Sequence, residues 1–123
     1  GLDCRVTELQ RCKGWIESAL EYGGGTHIYE DIVTAIVEGK MQLWPAENSC
    51  LVTEITKYPR KKVLHVFLGG GNLEEIKGMQ GDVIAWAKAQ ECESLTMSGR
   101  KGWSKALADI GWKSQLVLLE KRF

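Results

Sequence analysis

The sequence predicts an α/β domain built on a mixed central sheet, with its elements in the order α-α-β-β-β-α-β-α-β. Two patterns and one set of breaks carry that expectation. Apolar residues recur at helical spacing in some stretches, and in others they alternate or run together as in strands. Glycines stand at the joints: Gly23-Gly24-Gly25, Gly39, Gly69-Gly70-Gly71 and Gly111.

The first helix is expected over 4–21, where Leu9, Cys12, Ile16 and Leu20 share one face. Asp3 is its candidate cap, and the first glycine triplet ends it. A second helix over 27–38 has Thr26 as N-cap, Glu30 and Asp31 near its first turn, and Gly39 as its stop. Its apolar face is Ile28, Ile32, Ala35 and Ile36.

After Gly39 the period changes. Met41-Gln42-Leu43-Trp44 alternates as a strand, and Pro45-Ala46-Glu47-Asn48 reads as a turn. In the next strand Leu51, Thr53 and Ile55 face one way, while Val52, Glu54 and Thr56 face the other. Tyr58-Pro59-Arg60 turns the chain into a third strand over 62–68. From Val63 onward that strand is apolar but for His65, which places it at the sheet centre with both faces covered. Short turns make these three strands an antiparallel meander. A helix over 72–91 then carries Leu73, Ile76, Val83, Ile84 and Ala87 at helical spacing, weakened in its middle by Gly78 and Gly81. A short strand at 94–97, a helix at 101–110 and a last strand at 114–120 complete the order.

A length of 123 residues predicts one domain over 1–123. The 16 Lys+Arg are matched by 16 Asp+Glu, and the zero balance disfavours nucleic acid or an anionic membrane as a partner. The longest aliphatic run, 116–119, is too short to span a bilayer, and no signal-peptide core follows the N-terminus. A soluble intracellular protein is expected. Cys4, Cys12, Cys50 and Cys92 form no CxxC pair, and with His27 and His65 they give no zinc-ligand spacing. No metal is expected, and the thiols read as reduced. The five tryptophans are spread along the chain, which suits core or interface packing better than an aromatic cage.

The strongest site signal is Leu68-Gly69-Gly70-Gly71-Asn72-Leu73, between the buried strand and the long helix. Glycines let a backbone approach a ligand, and a helix start offers N–H groups to an anion such as pyrophosphate. The competing reading is a plain strand-to-helix turn, since three glycines without a lysine match no P-loop. Lys57-Tyr58-Pro59-Arg60-Lys61-Lys62 is the densest basic segment and reads first as a solvated hairpin tip. Arg100 and Lys101 place cations at a helix start, against the macrodipole, and read first as simple surface charge, with a phosphate or an acidic partner surface as the alternative that would favour them. For acid–base work, Glu54 and His65 stand on neighbouring strands as candidate bases, with a satisfied half-buried histidine the simpler reading of His65.

The element order resembles that of the GNAT N-acetyltransferases. More narrowly, the sequence resembles small GNAT-like proteins of tailed bacteriophages and prophages. The stretches that carry this are Gly39-Lys40-Met41-Gln42-Leu43-Trp44, Thr53-Glu54-Ile55 with Tyr58-Pro59-Arg60, Ala85-Trp86-Ala87-Lys88, Gly99-Arg100-Lys101-Gly102-Trp103 and Gly111-Trp112. The resemblance implies acetyl-CoA held between splayed central strands. Backbone groups of Val66, Phe67 and Leu68 would hold the pantetheine and acetyl carbonyl. The N–H groups of Gly69, Gly70, Gly71, Asn72 and Leu73 would take the pyrophosphate, with Arg100 nearby.

Two functions follow as expectations. One is acetyl-CoA-dependent N-acetyl transfer with Glu54 or His65 as base. The other is a non-catalytic virion or assembly component near a head–tail junction, with protein partners or a homo-oligomer in a phage particle. The intact strand–glycine–helix unit favours the first, and a glycine turn shorter than the family's loop, the lack of any tyrosine after Tyr58 and the dispersed tryptophans favour the second, so the two stand level. The expected location is accordingly host cytoplasm or virion.

Overall fold

A computed structural model describes residues 4–22, 25–97, 107–113, 119, 121 and 123. Its elements are helix α1 (Cys4–Tyr22), helix α2 (Tyr29–Val37), strands β1 (Gln42–Pro45), β2 (Ser49–Lys57) and β3 (Lys62–Gly71), helix α3 (Leu73–Ala89) and strand β4 (Ser94–Met97). A single 3-10 turn follows at Ala108–Ile110. Thus an α/β architecture with a mixed sheet is present. The cap expected at Asp3, the helix start at 101 and, apart from Leu119, the strand at 114–120 lie outside the described residues.

The four-stranded sheet has the order β1-β2-β3-β4. β1, β2 and β3 pair antiparallel, as the meander predicts, and β4 joins β3 in parallel. Alternation along β2 sorts its side chains between two layers. Cys50 and Val52 enter a core with Leu9, Cys12 and Ile16 of α1, Ile32 and Ile36 of α2, and Leu68 of β3. Leu51 joins a second core with Leu64 and Val66 of β3 and Ile76, Val83 and Ala87 of α3, against which Ile55 packs. The sheet therefore lies between α1 and α2 on one face and α3 on the other, and that burial supplies the main cohesive term.

Three local expectations need correction. The second helix is not capped by Thr26: its N-cap is Ile28, whose N–H donates to Asp31 Oδ2 at 3.0 Å. Ile28 is accordingly 61% exposed and not part of the apolar face. The second glycine triplet is not a turn. Gly69, Gly70 and Gly71 extend β3 to the end of its ladder, opposite Leu51, Cys50 and Ser49. Pro45 likewise ends β1, opposite Cys50. None of the helices formed by described residues is long and apolar enough to cross a membrane.

Candidate active site: the end of β3

The glycines are in the strand because of what lies against them. A Cβ at Gly70 would stand 2.9 Å from the Trp15 carbonyl oxygen, so only glycine lets α1 close on the sheet here. Gly71 has φ +99°, and a Cβ there would overlap Asn48. Asn72 then reverses the chain into α3. Its N–H donates to Asn48 O at 2.9 Å, and its side-chain oxygen accepts from Glu75 N–H at 3.1 Å as the helix cap. Glu75 locks the same corner. Its carboxylate accepts from Asn48 N–H at 2.8 Å, from Ser49 Oγ at 2.8 Å and from Asn48 Nδ2 at 3.2 Å. Those hydrogen bonds, led by the Asn48 N–H, hold its pKa below the ordinary value despite some desolvation.

The two edges of β3 differ. On one side β2 pairs with it along its whole length. On the other, the parallel ladder with β4 runs from Val63 opposite Ser94 to Val66 opposite Met97, its last rung among the described residues. β3 continues beyond that rung through residues 67–71. At the same place the β2–β3 register shifts: Val52 faces Leu68 and Thr53 faces Val66, leaving Phe67 as an extra residue. Such a bulge re-aims the strand and puts Phe67 and Leu68 together on the α1–α2 face, where both pack into that core. Asn72 donates toward β2, so the antiparallel alternation directs the N–H groups of Gly69 and Gly71 away from it. The residues Val66, Phe67, Leu68, Gly69, Gly70, Gly71, Asn72 and Leu73 thus follow one another along the end of β3 and its corner into α3, with Val66, Leu68, Gly69 and Gly70 buried. Arg100 lies outside the described residues.

Glu54 and His65 are brought directly opposite each other across β2 and β3. Glu54 shares the face of Val52, so both candidate bases stand on the α1–α2 side, two rungs from the bulge. His65 is the half-buried, satisfied histidine that the simpler reading expects: its Nδ1 lies 2.8 Å from Thr96 Oγ1 on β4. Burial lowers its pKa and Glu54 partly opposes that, so the neutral imidazole prevails near pH 7.

Other sequence signals resolve into packing or surface. Trp44 and Trp86 meet edge to face with centroids 5.8 Å apart, and Trp44 Nε1 donates to Thr53 Oγ1 at 3.0 Å. Trp112 Nε1 donates to Gln80 Oε1 at 2.8 Å. The basic segment 57–62 is a hairpin tip, closed by Tyr58 N–H donating to Lys61 O at 2.7 Å. Between α3 and β4 lies an open cleft of about 540 Å³, bordered by Lys61, Gln80, Lys88, Ser94, Trp112 and Lys113. No three His, Cys, Asp or Glu of the described residues are grouped to hold a metal ion.

Sequence reasoning missed three participants. Thr96 and the Asn48–Ser49 pair carry no motif, since their roles come from strand register. His27 was visible only as a residue near a helix start. Its ring in fact meets Phe67 edge to face, with centroids 4.8 Å apart and planes at 72°.

No family model and no curated protein matches the chain. Solved structures do match it. An aminoglycoside N-acetyltransferase in complex with CoA superposes at TM-score 0.63, with 13% identity over 95% of this chain and 89% of that one. An acetyltransferase of Trypanosoma brucei matches at TM-score 0.57, with 9% identity over 77% and 78% of the two chains. Glucosamine-6-phosphate N-acetyltransferase from Arabidopsis thaliana matches at TM-score 0.50, with 13% identity over 77% and 74%. At such identities the likeness is one of architecture, and the architecture is the GNAT acetyltransferase fold.

Proposed function

We propose that the chain is an acyl-CoA-dependent N-acyltransferase that holds the pantetheine arm of acetyl-CoA along the edge of β3 at residues 67–71. The observation that carries this is the mismatch of the two ladders: β3 outruns its last described rung with β4 by five residues, and the bulge sits where the outrun begins. An extended, amide-bearing arm adds to such an edge as a strand would, through main-chain hydrogen bonds. The N–H groups of Gly69 and Gly71 are aimed to donate to it. The corner at Asn72 and Leu73 is where a pyrophosphate would follow, although Glu74 and Glu75 already face this end of α3. Cations from elsewhere would have to offset those acids, which is the role expected of Arg100.

When bound, acetyl-CoA supplies an acyl thioester. The chain's own residues supply the rest. The bulge turns the backbone at Phe67 toward the reacting end, α1 covers Gly70, and Glu54 and His65 line the approach for an acceptor on the α1–α2 face. A neighbour of the same fold was solved with CoA, which supports the choice of cofactor. The virion role is carried by the sequence resemblance alone.

Calorimetric titration with acetyl-CoA, and with acetyl-pantetheine, tests the reading. Saturable binding of both is expected, because the arm common to them meets the β3 edge. Absence of binding by a protein with a native circular dichroism spectrum overturns it.

A further inference from the structure

We propose that His27 is the catalytic residue that takes the proton from the acceptor amine. The inference rests on the acyltransferase reading and adds to it the group that performs the proton transfer and the side from which the acceptor arrives.

Phe67 is the extra residue of the bulge, one position past the last described β3–β4 rung. Under the reading above, that is where the thioester lies. The ring that meets Phe67 is His27, which comes from the connection between α1 and α2, far away in sequence. Its position is set from both sides. Thr26 Oγ1 lies 2.8 Å from its Nδ1, and immediately after it the Ile28 N–H is bound by Asp31, fixing the start of α2. In the tautomer whose Nδ1–H donates to the Thr26 hydroxyl oxygen, Nε2 carries no proton and can accept one. A histidine oriented through one nitrogen, with its ring set against Phe67, suits a general base acting through the other.

Glu54 and His65 are placed less well for that task. His65 is tied to Thr96 within the sheet and stands opposite Glu54, two rungs from the bulge. They share the α1–α2 face with Phe67, and so are positioned to hold a cationic acceptor beside His27. An ammonium acceptor loses two protons on becoming an amide. His27 Nε2 takes the first. The freed amine nitrogen then forms the C–N bond to the carbonyl carbon as the C–S bond breaks, and the second proton goes to the departing thiolate.

The test is affinity labelling with bromoacetyl-CoA, in which an imidazole nitrogen close to the acyl group displaces bromide from its methylene carbon. Peptide mapping is expected to find the adduct on His27, suppressed by excess acetyl-CoA. The His27→Gln variant is expected to bind acetyl-CoA with unchanged Kd and to escape labelling. An adduct on any other residue, or none although acetyl-CoA binds, overturns the role of His27 and leaves the acyltransferase reading standing. If the unaltered protein does not bind acetyl-CoA, both fall.

Discussion

Gly70 and Trp15 are in contact through backbone: the position a Cβ would take at Gly70 is 2.9 Å from the Trp15 carbonyl oxygen and 3.0 Å from its Cβ. α1 therefore sits against the bare peptide of β3. Gly70→Ala is expected to cost about 1–3 kcal/mol, the usual range for overpacking a filled interior. Urea denaturation measures it, and an unchanged midpoint would contradict the contact. The same contact makes Gly70 a poor probe of ligand binding, since a bulky residue there disturbs the helix before it reaches any cofactor.

Glu75 ties the start of α3 to the start of β2, and its pKa lies below the ordinary 4.5 because Asn48 and Ser49 donate to the charged form. A depressed carboxylate contributes stability that is fully present above pH 4.5 and is lost as pH falls through the folded-state pKa. The melting temperature of Glu75→Gln is expected to lie below that of the parent at neutral pH, with the gap closing on acidification below 4.5. A gap independent of pH would show that the carboxylate charge is not what holds the corner.

His65 has the opposite chemistry but the same direction with pH. Its folded-state pKa lies below 6.5, mainly through burial, with Glu54 pulling the other way. As pH falls below 6.5 the unfolded chain binds the proton first, so stability declines until His65 itself titrates; above 6.5 the term is absent. Relative to His65→Gln, the parent is expected to lose stability in that window, and NMR titration of the His65 ring should give a midpoint below 6.5. A midpoint above 6.5 would mean that Glu54 outweighs burial.

Cys12 and Cys50 meet between α1 and β2, are fully buried, and have thiol pKa values pushed up by desolvation. A thiol held protonated and away from solvent is a poor nucleophile. Neither is expected to react with iodoacetamide in the folded protein within a time that labels both after unfolding in guanidinium. Rapid native labelling of either would show that α1 opens from the sheet.

Much of this fold is legible in the sequence, for reasons that are local. Leu9, Cys12 and Ile16 keep helical spacing, and all three are buried. Alternation assigns Leu51, Thr53 and Ile55 to one face of β2 and Val52 and Glu54 to the other, as the two cores require. The lone histidine in an apolar strand is half-buried and hydrogen-bonded. What could not be read depends on partners distant in sequence. The glycine triplet looks like a turn until Trp15 and Asn48 are placed against it. The bulge at Phe67 is a mismatch between two strands, and neither strand alone shows it. His27 acquires a candidate role only when the α1–α2 connection lies over Phe67.

The central claim is that the edge of β3 beyond Val66 receives the cofactor arm. Amide NMR tests it most directly, by following the backbone N–H resonances of Gly69 and Gly71 while acetyl-CoA is added. The account predicts that both shift saturably, with a common dissociation constant, and become slower to exchange with solvent. Binding that leaves both resonances unmoved while others shift would place the cofactor elsewhere and contradict it.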